Sequence, residues 1–266
     1  AIMSLLAMLF VGMILAVTAA GLIAVFFAYE SITGIEKPYL GLMTYFLFPG
    51  MLIFGLLLVP FGADAYWVSL VTQMLIFGLL ALSADLLLGH AGLFSLCHAA
   101  FFSVAAYASA ITQVRYGWDS SSGMVAGLLL GTALGLVFGL AVRTRGVYFI
   151  LVTLAMGYVI WGVGYRWTAL TGGDSGITNV PALRLGSWSL ENGTELYYWV
   201  LFVVLVVTWL YARFIQSPFG LALRGIKSGE PRMRSLGYST PTHLYAAFVI
   251  SSFMSSLAGV LYVCFN

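Results

Sequence analysis

The sequence predicts an all-α fold, a polytopic transmembrane helix bundle of about eight spans, and three observations carry that reading. Of 266 residues, 62% are hydrophobic and only 8% charged, far from the roughly 25% charged content of a soluble domain. The apolar runs reach about 20 residues, enough to cross ~30 Å of hydrocarbon, and lipid admits only helices or closed barrels because backbone groups must pair internally. Strand-like alternation is absent, which removes the barrel. The third observation is Arg213 to Gly237, the only long polar and basic interval. It holds five of the eleven Lys and Arg and a single acid, Glu230.

Composition also excludes functions. The net charge is +2 with the basic residues in loops, so there is no basic stripe with interleaved aromatics for nucleic acid. Cys97 and Cys264 lie inside apolar segments and make neither a disulfide framework nor a zinc spacing. Cys97-His98 lacks the second cysteine of covalent haem attachment, since Phe94 stands there. The first segment is apolar from Ala1, with no basic start, and reads as a span rather than a removed signal peptide.

In chain order, Ala1 to Tyr29 is one long apolar run, closed by a polar turn at Glu30 to Pro38. A second span follows at about Tyr39 to Phe61, interrupted by Pro49-Gly50. The third covers Tyr66 to Leu88 and the fourth Ala91 to Thr112, separated by a break at Gly89-His90. After a polar stretch at Gln113 to Ser122, the fifth span, Gly123 to Val142, carries glycines at four-residue intervals from Gly123 to Gly139, which predicts close helix packing inside a bundle. Arg143 to Gly146 is a tight basic turn and Val147 to Leu170 the sixth span. A polar loop, Thr171 to Leu196, precedes the seventh, Tyr197 to Ala212. Leu244 to Phe265 is the eighth.

The bias of Lys and Arg toward cytoplasmic loops places Arg213 to Gly237 inside. Alternation back along the chain then puts eight of the eleven basic residues inside, Arg115 and Arg184 outside, and Arg166 near an outer helix end.

Several residues stand out chemically. Asp85 sits in an apolar span and costs about 2.5 to 3.5 kcal/mol if it faces mid-membrane lipid, so it faces protein or water. It either lines a translocation path or accepts backbone N–H groups around the Gly89 break. Gly89 and Gly92 flank that break, and Ser95 and His98 fall three residues apart, as on one helix face. A broken helix at membrane depth is tolerated only where buried or lining a cavity, which marks Asp85, Gly89, Gly92, Ser95 and His98 as the candidate solute path. Ser95 and His98 equally suit a helix-to-helix hydrogen bond, and more weakly a hydrolytic pair. Arg166 either attracts a carboxylate or snorkels to headgroups. The Gly-rich Thr171 to Gly176 lacks the lysine and the preceding strand of a phosphate loop and reads as an outer turn.

Five blocks follow one another in a recognisable order: LSADLLLGHAGLFSLCHAAFF (Leu82 to Phe102), RTRGVYF (Arg143 to Phe149), TGGDSGI (Thr171 to Ile177), LRGIKSGEPRMRSLGY (Leu223 to Tyr238) and SSLAGVLY (Ser255 to Tyr262). From about residue 62 the chain thereby resembles the permease subunit of branched-chain amino acid ABC importers, the subfamily that also serves urea and small amides or acids. The resemblance implies a second permease subunit, making a heterodimer, two cytoplasmic ATPase subunits and a periplasmic solute-binding protein, in a bacterial inner membrane. It implies no enzyme activity and no cofactor in this chain, ATP being bound by the partners. It maps a cytoplasmic coupling helix onto Glu230, Pro231 and Gly237, with Arg224 and Lys227 on the approach. Pro suits a first helical turn, Gly an abrupt end, and an acid the helix start. Met233-Arg234 departs from the small residue usual there.

The first part differs. KPYLG (Lys37 to Gly41) and FPGMLIFGLLLVP (Phe48 to Pro60) are similar to the membrane anchor of multihaem c-type cytochrome subunits. The expected organisation is therefore residues 1–61 as two N-terminal transmembrane helices of separate character and 62–266 as the permease domain. The resemblance implies further spans beyond Asn266. The competing function is a membrane anchor or structural subunit of a cytochrome-containing electron-transfer complex.

Overall fold

The computed structural model describes residues 50, 53–62, 64–144, 146–177, 180–181, 184–185, 188–189 and 192–265. The first apolar run and most of the second, Ala1 to Pro49, lie outside the described residues. Among those described there are nine helices: α1 (Ile53–Gly62), α2 (Ala65–Asp85), α3 (His98–Val114), α4 (Ser120–Phe138), α5 (Val147–Arg166), α6 (Thr168–Thr171), α7 (Gly193–Gln216), α8 (Pro218–Ser235) and α9 (Thr240–Phe265). A two-residue antiparallel pair, Arg184–Leu185 with Trp188–Ser189, is the strand structure among them. The chain is an all-α polytopic bundle, and five described helical stretches are long and apolar enough to cross a membrane.

The chain divides within α2, between Val71 and Thr72, into two compact units. In the first, α1 ends before Asp64, whose carbonyl accepts from the N–H groups of Trp67 and Val68 and so starts α2. The second unit holds everything that follows.

Its centre is α9, where small residues alternate with apolar ones. Ser251, Ser252, Ser255, Ser256, Ala258 and Gly259 are all buried. Apolar clusters lie on two sides of the helix. Phe101, Phe149, Leu223 and Phe248 anchor one, and Ile76, Leu79, Val200 and Leu261 the other. The glycine ladder of α4 faces inward as its spacing predicts, with Gly123, Gly127, Gly131 and Gly135 all buried. A Cβ at Gly127 would strike the Ala105 carbonyl oxygen on α3, and one at Gly131 or Gly135 the hydroxyl of Ser256 or Ser252 on α9. The α4 backbone thus lies against the α3 backbone on one side and the serine side chains of α9 on the other, at distances only glycine permits, the usual solution where lipid offers no hydrophobic drive between helices.

The fourth predicted span differs from expectation. Residues 86–91 continue α2 as a π-helical turn, Leu86–Ala91, and the break falls at Gly92, a left-handed cap with φ 73°. Residues 92–97 are non-helical and α3 starts only at His98. The apolar run from Ala91 to Thr112 hides this because leucine and phenylalanine suit a helix and a non-helical chain alike. Ser95 therefore shares no helix face with His98, which corrects that expectation.

At one end of this unit α2 finishes, α8 runs across and α9 begins. The other end carries the C-terminus of α5, then α6 and a tight glycine turn. There Thr171 Oγ1 donates to Gly164 O at 2.6 Å and accepts from Gly173 N at 3.1 Å.

Candidate functional site

The π turn leaves the carbonyl of Gly89 without a regular helical successor, and Lys227 of α8 fills it, its Nζ donating to Gly89 O at 2.7 Å. The stem of the same lysine lies on Gly92, where a Cβ would come to 2.9 Å of Lys227 Cγ. Gly92 is thus required twice, for its positive φ and for this close approach. Two positions singled out for the solute path and one singled out for coupling are brought into direct contact.

Asp85 precedes the π turn and its side chain is 52% exposed. It makes no cap bond to the following backbone, so that expectation is corrected. The carboxylate instead accepts from Tyr211 Oη of α7 at 2.5 Å, with His90 Nδ1 3.7 Å away. An apolar helix holding a carboxylate needs a donor from a neighbour. Tyr211, among the hydroxyl-bearing side chains near the end of an apolar span, was the sequence signal that went unused.

Below the break, Ser95 Oγ pairs with Cys97 Sγ at 3.2 Å. His98 Nε2 pairs with Ser251 Oγ at 2.7 Å, while Ser251 gives its one proton to Ser83 O at 2.6 Å. The imidazole is therefore the donor in that pair. Ser255 closes the knot by donating to His98 O at 2.7 Å. His98 is a buried fastener of α2, α3 and α9, which is the helix-to-helix role, with α9 as its partner. Its Nε2 is taken by Ser251, and a Ser95–His98 hydrolytic pair is not formed. The serines at 251 and 255, four apart on α9, were the missed partners.

The non-helical stretch turns Leu96 outward, its N–H donating to Thr153 Oγ1 of α5 at 3.2 Å. Leu96 lines a cavity of about 920 Å³ between α3 and α5, together with Tyr107, Tyr158, Trp161, Thr171 and Gly173. Among the described residues no charged side chain lines it. Of the five path candidates none lines this cavity, and Leu96, which the sequence analysis does not single out, does. Arg166 sits beside it, in a smaller opening shared with Tyr158 and Trp167.

α8 is two helices joined at a kink. Ser217 caps the first by accepting from Gly220 N at 3.4 Å, with Pro218 in the opening turn. Arg224 donates from Nη2 to Ile215 O at 2.7 Å, binding the helix to the end of α7. Gly229 leaves helical geometry at φ −179°, ψ 89°, so a new helix begins at Glu230-Pro231. Gly237, at φ 86°, ends it: its N–H bonds Arg234 O at 2.9 Å and that of Tyr238 bonds Met233 O at 3.1 Å, a double closure of the last turn. Glu230 Oε1 accepts from Arg234 at 2.9 Å and from Thr240 at 2.9 Å, which ties the short helix to the start of α9. Met233 points inward over Gly225, within 2.7 Å of where a Cβ would stand. Its bulk is spent inside the fold. The outer face presents Pro231, Arg232, Ser235 and Leu236, the last 72% exposed.

A multi-pass helix bundle with an interrupted helix, a cavity reached by the interruption and an amphipathic helix clamped to it is the architecture of a polytopic membrane protein. The comparisons make this specific: the family model for the branched-chain amino acid transport system / permease component matches residues 66–265, and the chain belongs to that family. The high-affinity branched-chain amino acid transport system permease protein LivM of Salmonella typhimurium is 27% identical over 227 residues, covering 76% of this chain and 53% of that protein. LivM of Escherichia coli matches with the same identity and coverage. The chain thus spans about half the length, 53%, of these relatives. A shorter match, 64% identical over 53 residues, is to the cytochrome c-type protein ImcH of Geobacter sulfurreducens, covering 20% of this chain and 10% of that protein. No solved structure matches.

Proposed function

We propose that the chain is the permease subunit of an ATP-driven importer for branched-chain amino acids or related small solutes, seated in the bacterial inner membrane. The chain itself performs no chemistry. It pairs with a second permease subunit as a heterodimer, receives solute from a periplasmic binding protein, and is driven by two cytoplasmic ATPase subunits that bind the ATP. The solute path is the cavity between α3 and α5. The observation that carries this reading is the contact of Lys227 with Gly89 and Gly92. It gives α8, whose second half presents its outer face for docking, a direct grip on the break, whose non-helical stretch reaches the cavity floor at Leu96. A nucleotide-driven shift of α8 then moves that floor, and the two-state element that both sites bias is the broken helix. Arg224, Glu230 and Gly237 hold α8 in shape for the task, and Asp85 with Tyr211 holds the end of the helix before the break.

The test is the double variant Glu230→Gln with Gly237→Val, in the reconstituted importer. Membrane insertion and amount are expected to stay unchanged, because neither position is among the buried residues of the bundle. Solute uptake is expected to fall about tenfold, the scale of a typical coupling energy, while ATP hydrolysis ceases to respond to solute. Unchanged uptake would remove the coupling role.

A second reading, a membrane anchor in a cytochrome-containing electron-transfer complex, is favoured by the 53-residue match to ImcH. A haem absorption spectrum in the purified complex, with no associated ATPase, would establish it in place of the first.

A further inference from the structure

The C-terminal half of α5 presents aromatic residues at helical spacing to which the transport reading assigns no ligand chemistry. Trp161 and Tyr165 stack with ring centroids 5.5 Å apart and planes 12° from parallel. Both rings are more than half exposed, at 65% and 51%. Next to them stands Arg166, and among the described residues no carboxylate pairs with it. It lines an opening of about 650 Å³ together with Tyr158, Trp161 and Trp167. Those three aromatics also wall the larger cavity. The rim of the cavity therefore combines one guanidinium, a flat ring stack and no acid among the residues lining either space.

A guanidinium without a carboxylate partner, set beside a flat apolar platform, suits an anion carried on a flat apolar body, because the fork takes a carboxylate bidentately while the rings take the body. Tyrosine, tryptophan and arginine near a helix end also serve as membrane anchors. Here, however, the aromatics beside Arg166 are walls of the cavity as well, which favours a ligand on its way into that cavity. We propose that Arg166, Trp161 and Tyr165 form an entry subsite for solutes that carry a carboxylate on an aromatic or similarly flat apolar body, at the mouth of the cavity. The proposal rests on the transport reading for its purpose, and its binding step is measurable without transport.

The experiment uses the full complex in nanodiscs of zwitterionic phosphatidylcholine, without nucleotide, titrated calorimetrically with phenylacetate and with its neutral isostere phenylacetamide. Phenylacetate is expected to bind saturably and at least about tenfold more tightly than the amide, the difference of a charge-assisted pair. Arg166→Gln is expected to remove that difference and leave amide binding unchanged, Arg166→Lys to restore most of it, and all three proteins to melt together. Equal affinity for acid and amide in the parent, or an unchanged preference in Arg166→Gln, would overturn the proposal. So would loss of phenylacetate binding when phosphatidylglycerol replaces a fraction of the lipid, since a headgroup phosphate would then be the natural occupant. Binding that follows these expectations in a complex that performs no ATP-driven uptake would keep the subsite and defeat the transport reading alone.

Discussion

Gly259→Leu is expected to dismantle the bundle. Gly259 is buried in the C-terminal half of α9, and a Cβ there would strike the Phe102 carbonyl oxygen of α3, with the carbonyl carbon at 2.9 Å and Cα at 3.0 Å. The obstacle is backbone in the middle of a helix, so no side chain can rotate away, and relief requires the two helices to part. Overpacking of a well-filled core costs about 1 to 3 kcal/mol, and a backbone collision at the α3–α9 crossing is expected at or above the top of that range. The check is the thermal midpoint and monodisperse yield in detergent, against Gly78→Leu, where nothing lies within 4 Å of the new Cβ. The 78 variant is expected to behave as the parent. A Gly259→Leu protein that melts with the parent would mean that α3 and α9 do not pack as described.

Gly92→Val is expected to be nearly as damaging to transport while sparing the bundle. The position has φ 73°, a left-handed conformation that costs an L-residue about 1 to 2 kcal/mol, with β-branched residues worst. The new side chain would also displace Lys227 from its seat and with it the bond to Gly89 O. Uptake in proteoliposomes is expected to fall at least about tenfold, on the scale of an allosteric coupling. The melting temperature is expected to move far less than in Gly259→Leu, since the α3, α4 and α9 contacts are untouched. Normal uptake in Gly92→Val would separate the break from the transport cycle.

Much of this was legible in sequence for a physical reason. Glycines every fourth residue in α4 can lie on only one face, and a face without side chains has one use inside lipid, so the inward packing of Gly127 and Gly131 followed. Pro231 and Gly237 punctuate a chain locally, and they bound a short helix as their chemistry requires. The break between α2 and α3 was visible as a pair of glycines, but its place was not. Gly89 sits inside a π turn, and Gly92, three residues on, takes the left-handed conformation. Both glycines suit either role, and Lys227 meets both, its Nζ at Gly89 O and its stem on Gly92. Long-range pairs were beyond reach: Tyr211 and Asp85 are 126 residues apart, Lys227 and Gly89 138. Each residue is visible by itself, but nothing local marks the pairing. Leu96 was invisible for a different reason, because a leucine in an apolar run carries no chemistry until the chain around it stops being helical.

The central claim is that α8 moves the cavity floor through Lys227. The most direct measurement places a cysteine at Leu96 in a background with Cys97→Ser and Cys264→Ser, and follows its labelling by a water-soluble maleimide in the assembled transporter, with and without ATP held by vanadate. The labelling rate is expected to change with nucleotide when Lys227 is present and to lose that response in Lys227→Met, which keeps the apolar stem on Gly92 and removes the ammonium from Gly89 O. The same nucleotide response in both would contradict the claim.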